Sequence, residues 1–138
     1  MILVMRIHGI VNMKTNLEET MYRLRIRRKL ACTIIDENNK IEMGMLNNIR
    51  ELVSFGKVDA TLVKKLVIAR GETEDGKKVG EKDADKIVAG IEKGDWKIKK
   101  FFRLHPPIGG FRKTTKQLAP KGILGENKDI VKLVERML

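Results

Sequence analysis

The spacing of apolar positions changes along the chain, and each change marks an element. Ile2, Leu3, Val4, Met5 and Ile7 form a nearly unbroken β-favouring run that ends at Gly9, which predicts a buried first strand. Leu17, Met21 and Leu24 then recur at helical spacing, behind Asn16 and Glu19, a pair spaced like a capping box. That predicts a helix over about 17–28. Ala31 to Ile35 reads as a second strand, closed by the polar turn Asp36-Glu37-Asn38-Asn39-Lys40. Met45, Leu46, Ile49 and Leu52 mark a second helix, and residues 53–58 alternate as a third strand. The order β-α-β-α-β is complete by residue 58.

The rest reads as a helical extension. Asp59 is placed to cap a helix carrying Leu62, Leu66 and Val67 that stops near Gly71. Asp83 is placed to cap another, with Ile87, Val88 and Ile91, ended by Gly94. Asn127 precedes a last amphipathic segment with Ile130, Val131, Val134 and Met137. Between them, residues 105–121 hold all three prolines and no steady period, so they read as an irregular arm. The expected organisation is a core over 1–58 and an extension over 59–138, with the basic arm at about 97–121 and a C-terminal helix.

Composition narrows the class. The chain has 138 residues, 42% hydrophobic but only 4% aromatic, so the core is aliphatic. No apolar run approaches the ~20 residues of a membrane helix, and the N-terminus lacks the basic start of a signal peptide. A single cysteine, Cys32, provides neither an intrachain disulfide nor a cysteine-rich zinc site. These features point to an intracellular soluble protein.

Charge changes the picture most. The net charge is +11, above the magnitude of about 2–8 that suits a small soluble domain. The excess is segregated. Residues 1–29 hold seven basic and two acidic residues, and residues 96–121 hold eight basic and no acidic ones. The middle of the chain and residues 122–138 are balanced or slightly acidic. Two basic segments that converge in space would make a nucleic-acid face.

Catalytic chemistry is not signalled. There is no phosphate-binding glycine loop of either common type, and the lone serine, Ser54, falls in a predicted strand. His8 and His105 are far apart and lack metal-ligand spacing. Acidic pairs such as Glu18-Glu19 suit helix starts, and Cys32 suits a buried strand position. No cofactor or metal is expected, and a small enzyme is the weakest of the function classes.

The basic segments carry the chemistry instead. Arg23, Arg25, Arg27, Arg28 and Lys29 crowd the predicted end of the first helix. One or two cations there would satisfy the helix dipole. Five repel one another, and phosphates relieve that repulsion. The second segment runs from Phe101 to Lys113. Arg103, Arg112, Lys113 and then Lys116 can bind phosphates, and His105 and Phe111 can stack on an unpaired base. Pro106-Pro107 favours an extended backbone, and Gly109-Gly110 allows close approach to a sugar–phosphate chain. With no acidic partners, residues 105–121 are expected to be partly disordered in the absence of RNA.

Three stretches resemble a known family: Arg6-Ile7-His8-Gly9-Ile10-Val11-Asn12, Met43-Gly44-Met45-Leu46, and Phe102-Arg103-Leu104-His105-Pro106-Pro107-Ile108-Gly109-Gly110. They are similar to the universal large-subunit ribosomal protein L-thirty family in its archaeal type, whose eukaryotic counterpart is L-seven. The likeness covers essentially the whole chain and departs at Ile108, where members often carry a basic residue. The resemblance implies an α+β fold, with a small three-stranded antiparallel sheet and two helices on one face, somewhat ferredoxin-like. It implies a structural constituent of the large ribosomal subunit in the cytoplasm, without catalytic activity. Its partners would be large-subunit rRNA of the 23S type, with 5S rRNA nearby, and neighbouring ribosomal proteins. No membrane and no obligate homo-oligomer are implied. The expected RNA-binding residues are Lys14, Arg23, Arg25, Arg27, Arg28, Lys29, Arg103, His105, Gly109, Gly110, Arg112, Lys113 and Lys116. The competing reading is a free-standing basic protein that binds DNA or chromatin. It lacks a clear recognition helix, because the Arg-rich helix needs Leu17, Met21 and Leu24 for its core face.

Overall fold

Strand β1 (Ile2–Arg6) is apolar on both sides because both sides are covered. In a computed structural model that describes residues 1–92 and 94–138, Ile2 and Val4 pack into one core and Leu3 and Met5 into another. Side chains alternate across a strand, so the two cores lie on opposite faces of one sheet. The first face is closed by α1 (Thr15–Arg23) and α2 (Lys40–Ile49), through Met21, Leu46 and Ile49. The second is closed by α3 (Ala60–Arg70), α4 (Glu81–Glu92) and α5 (Ile130–Glu135), through Leu66, Val88 and Val134 among others.

The sheet corrects the expectation of three strands with helices on one face. β1 does pair antiparallel with β2 (Ala31–Ile35) and β3 (Val53–Lys57). That trio is extended at both edges, giving six strands in the order β4-β2-β1-β3-β6-β5. The short β4 (Phe102–Arg103) pairs antiparallel with β2, setting Arg103 opposite Ala31. β6 (Gly122–Glu126) runs parallel to β3, and β5 (Thr114–Leu118) flanks it, with Leu118 opposite Leu124. The sheet is therefore mixed and continuous from the first residues to the last third of the chain. Gly56 of β3 shows how tightly the two parts meet: a Cβ there would stand 2.7 Å from the Asn127 backbone oxygen and 2.9 Å from Ile130.

Several helix ends differ from the sequence reading. Helix α1 stops at Arg23, five residues short of the expected 28. Its end is a Schellman motif: the Arg25 N–H donates to the Tyr22 carbonyl and the Ile26 N–H to the Met21 carbonyl, with Arg25 at φ 62°. Ile26 and Met21 are fully buried in the same core. Burial of both requires the chain to turn there, because a continued helix would carry Ile26 off the buried stripe. Asn16 lies inside α1, and the N-cap position belongs to Lys14, without a side-chain bond. Asn39 caps α2, accepting from the Ile41 and Glu42 amides. Helix α3 follows Asp59 and ends at Gly71 as expected, although the Asp59 side chain makes no cap bond. Asp83 lies inside α4. Asn127 stands before α5, where it donates to Ser54 Oγ at 3.3 Å and accepts from the Asp129 amide at 3.0 Å. The lone serine thus has a structural role.

The arm, read as irregular, contains β5 and is tied down before it. The His105 and Ile108 amides donate to the Met137 and Arg136 carbonyls, each at 3.0 Å, and Pro107 is buried. Gly109 and Gly110 have φ of 76° and 71°. Two consecutive left-handed residues account for the glycine pair by backbone conformation alone.

Candidate nucleic-acid interface

The registers place several chain ends together. Arg6 at the end of β1 opposes Val53 at the start of β3, Met5 opposes Cys32, and Arg103 at the end of β4 opposes Ala31. The loops after β1 and before β2 therefore emerge from one end of the sheet, beside the end of β4. These loops carry the Arg-rich segment. Of its five cations only Arg23 is helical; Arg25, Arg27, Arg28 and Lys29 lie in the turn between α1 and β2. This corrects the expectation of a cationic helix end.

The turn brings Arg23, Arg25, Arg27 and Arg28 to Arg103 around an open groove of about 650 Å³. Tyr22, Phe101 and Ala31 complete its walls, and no carboxylate among the described residues lines it. The Arg27 guanidinium lies over the Tyr22 ring, 3.6 Å from its centre, and that of Arg103 lies 5.6 Å from the Phe101 centre. Such stacking contributes about 0.5–1 kcal/mol at an exposed site and leaves the guanidinium edge free to donate. Arg23 keeps an exposed ion pair with Glu19 at 2.6 Å, worth roughly 0.3–0.5 kcal/mol. That is too weak to withhold it from a phosphate.

A residue outside the expected set shapes this groove. Arg6 is 1% exposed. Its guanidinium donates to the carbonyls of His8 and Gly9 in one loop and of Ile26 and Arg27 in the other. Burial pushes its pKa down, an effect Glu18 partly offsets, yet an arginine keeps its proton. The sequence signal was a lone cation inside an apolar strand, which must find buried acceptors. Tyr22 was unmarked, since an isolated aromatic in a helix reads as packing, and Phe101 stood out only as the first residue of the second basic segment.

The remaining expected residues do not join the groove. Lys14 sits at the other end of α1, and Lys29 is exposed in the same turn without lining the cavity. His105, Gly109 and Gly110 are exposed on the arm as it crosses the end of α5. Arg112 and Lys113 line a separate cavity of about 240 Å³ against α5, and Lys116 is on β5 at the far edge. The two basic segments thus meet at Arg103 and diverge beyond it. No three His, Cys, Asp or Glu side chains come together as metal ligands among the described residues.

The profile of the ribosomal protein L30p/L7e family matches residues 2–53, which span β1 to the start of β3. The large ribosomal subunit protein uL30 of Cenarchaeum symbiosum is 33% identical, across 99% of this chain and 97% of its own length. The chain belongs to the ribosomal protein L30p/L7e family. The uL30 proteins of Methanococcus maripaludis and Aeropyrum pernix are 32% and 30% identical, covering 78% and 86% of this chain. As a family member it is a ribosomal protein, a structural component and not an enzyme.

Proposed function

We propose that this L30p/L7e family member is a structural constituent of the large ribosomal subunit that holds folded large-subunit rRNA in its arginine groove. The observation that carries this reading is the convergence of Arg23, Arg25, Arg27, Arg28 and Arg103 on one groove that no carboxylate among the described residues lines. The arginines neutralise phosphates and set orientation. The free faces of Tyr22 and Phe101 offer stacking surfaces to unpaired bases, which favours an irregular RNA over a regular duplex. Lys29, exposed in the same turn, extends the cationic surface beside it. The arm, pinned by its bonds to α5, presents Gly109 and Gly110 with open space beside their Cα atoms. The RNA partner is of the 23S type, with 5S rRNA and other large-subunit proteins as neighbours, and the chain acts as a single copy.

Sedimentation of a lysate through a sucrose gradient tests this. The native protein travels with large subunits at low salt and is released as salt rises. Binding to duplex DNA without co-sedimentation would instead favour a free-standing DNA-binding protein.

A further inference from the structure

Four polar residues are buried among the described residues: Arg6, Thr33, Ser54 and Asn127. Arg6 ties two loops together, and Ser54 and Asn127 bond to each other. Thr33 is 1% exposed and carries the one hydroxyl of the apolar strand β2. It donates at 2.9 Å to the carbonyl of Lys100, 67 residues later. A valine would fill the same β-branched shape without the cost of burying a hydroxyl. The fold gains little net stability from exchanging a bond to water for this one, so the use of the hydroxyl lies in what it holds.

It holds the entry to β4. Only Phe102 and Arg103 pair with β2, and so short a ladder does not reach the residues before it. The Leu104 amide closes the far end on the Leu30 carbonyl at 3.1 Å. At the near end the Thr33 hydroxyl takes the Lys100 carbonyl, which shares one planar peptide unit with the Phe101 amide. Phe101 is thereby bracketed between a held peptide unit and the ladder, which constrains the direction of its side chain. Side chains alternate from there: Phe102 and Leu104 enter the core, and Phe101 and Arg103 line the groove. The Lys100 side chain is held as well, by Glu42 of α2 at 2.5 Å. Arg6 fixes the loops on one side of the groove, and Thr33 is placed to fix the other.

We propose that Thr33 is a positioning residue for RNA recognition: its hydroxyl holds the chain as it enters β4 and so aims Phe101 and Arg103 at RNA bound in the arginine groove. The proposal rests on the RNA-binding reading above and adds to it a residue that touches no RNA, since Thr33 is buried in the sheet. Phe101 and Arg103 act as one unit, with the guanidinium 5.6 Å from the ring centre. Turning the ring away removes the support of the arginine, so a change in the backbone at residue 100 reaches both side chains. A site held by such a supporting shell keeps its geometry without the ligand.

Filter binding of the full chain to large-subunit rRNA tests this, together with thermal melts and amide exchange on the RNA-free protein. Thr33→Val removes the hydroxyl and keeps the shape, whereas Thr33→Ser keeps the hydroxyl and loses the methyl. Thr33→Val should weaken binding about 3–10-fold, the scale of one hydrogen bond, with little change in melting temperature. Thr33→Ser should melt lower, from the lost buried methyl, yet retain the binding that Thr33→Val loses. Amides of residues 101–104 should exchange faster in Thr33→Val and not in Thr33→Ser. In a chain already carrying Phe101→Ala and Arg103→Ala, Thr33→Val should cause no further loss of affinity. Affinity that follows melting temperature across the two Thr33 variants would overturn the proposal. So would a further loss in the combined variant, or a Thr33→Val chain that fails to fold. Unchanged exchange at 101–104 in Thr33→Val would overturn it without reference to RNA. An unaltered chain that binds no rRNA would instead overturn the RNA-binding reading itself.

Discussion

The Arg6 guanidinium lies 2.6 Å from the carbonyl oxygen of Arg27. A buried cation in the first strand thereby fixes the backbone of a residue whose own side chain faces the groove. Arg6 reaches four carbonyls in two loops, so the groove is set without a ligand, and the proposed RNA contact would lose less ordering entropy.

Replacing Arg6 tests that connection. Arg6→Met should destabilise the fold by about 3–5 kcal/mol, since buried carbonyls lose their partner. Arg6→Lys keeps the charge but cannot fork between two loops, and should cost roughly 1–3 kcal/mol. Urea unfolding gives the stabilities. Hydrogen exchange should show faster exchange in residues 25–30 of the lysine variant. Unchanged exchange there would remove Arg6 from the preorganisation of the groove.

Arg27→Ala with Arg28→Ala should separate binding from folding. Both side chains are exposed, so stability should change by no more than about 0.5 kcal/mol at Arg28 and about 1 kcal/mol at Arg27, which loses its stack on Tyr22. Affinity for rRNA should fall. A large drop in melting temperature would assign these arginines to the fold.

Arg25 couples the two properties. Its φ of 62° is strained for a side chain but natural for glycine, which is the usual residue at this helix-ending position. Arg25→Gly should therefore stabilise the fold by about 0.5–1 kcal/mol while weakening RNA binding. Thermal melts and a filter-binding titration on the same variant give both signs.

Cys32 is buried, and burial pushes its thiol pKa up. The folded protein should resist a thiol-reactive disulfide reagent at pH 8 and react on unfolding. The folded pKa is raised, so the associated stability is complete below the unfolded thiol pKa of about 8.5. Above it the unfolded state ionises while the folded state does not, and stability declines as pH rises.

Much of the first 58 residues could be read in the sequence, and the reasons lie in particular residues. Ala31–Ile35 is a strand with the bounds its β-branched run suggests. Leu24-x-Ile26 broke the helical spacing, but the surrounding arginines are good helix formers and masked the break. The unbroken run Ile2-Leu3-Val4-Met5 signals a strand covered on both faces, which the expectation of helices on one face overlooked. β5 and β6 escaped because TTKQL is polar and mostly exposed, and GILGE is short and flanked by glycine. β6 pairs with β3 about 70 residues earlier and β5 pairs with β6 in turn, which no local period can announce. The groove was half legible: charge segregation pointed to both basic segments, but only the pairing of β4 with β2 determines that Arg103 joins and Arg112 does not.

Salt dependence of rRNA binding tests the central claim most directly. If about 6–10 phosphates are contacted, affinity for large-subunit rRNA should fall about 10³–10⁵-fold between 50 and 200 mM salt. Arg27→Ala and Arg28→Ala should each reduce the slope of log affinity against log salt by about 1. A slope near zero, or one that those substitutions leave unchanged, would contradict an electrostatic grip by the arginine groove.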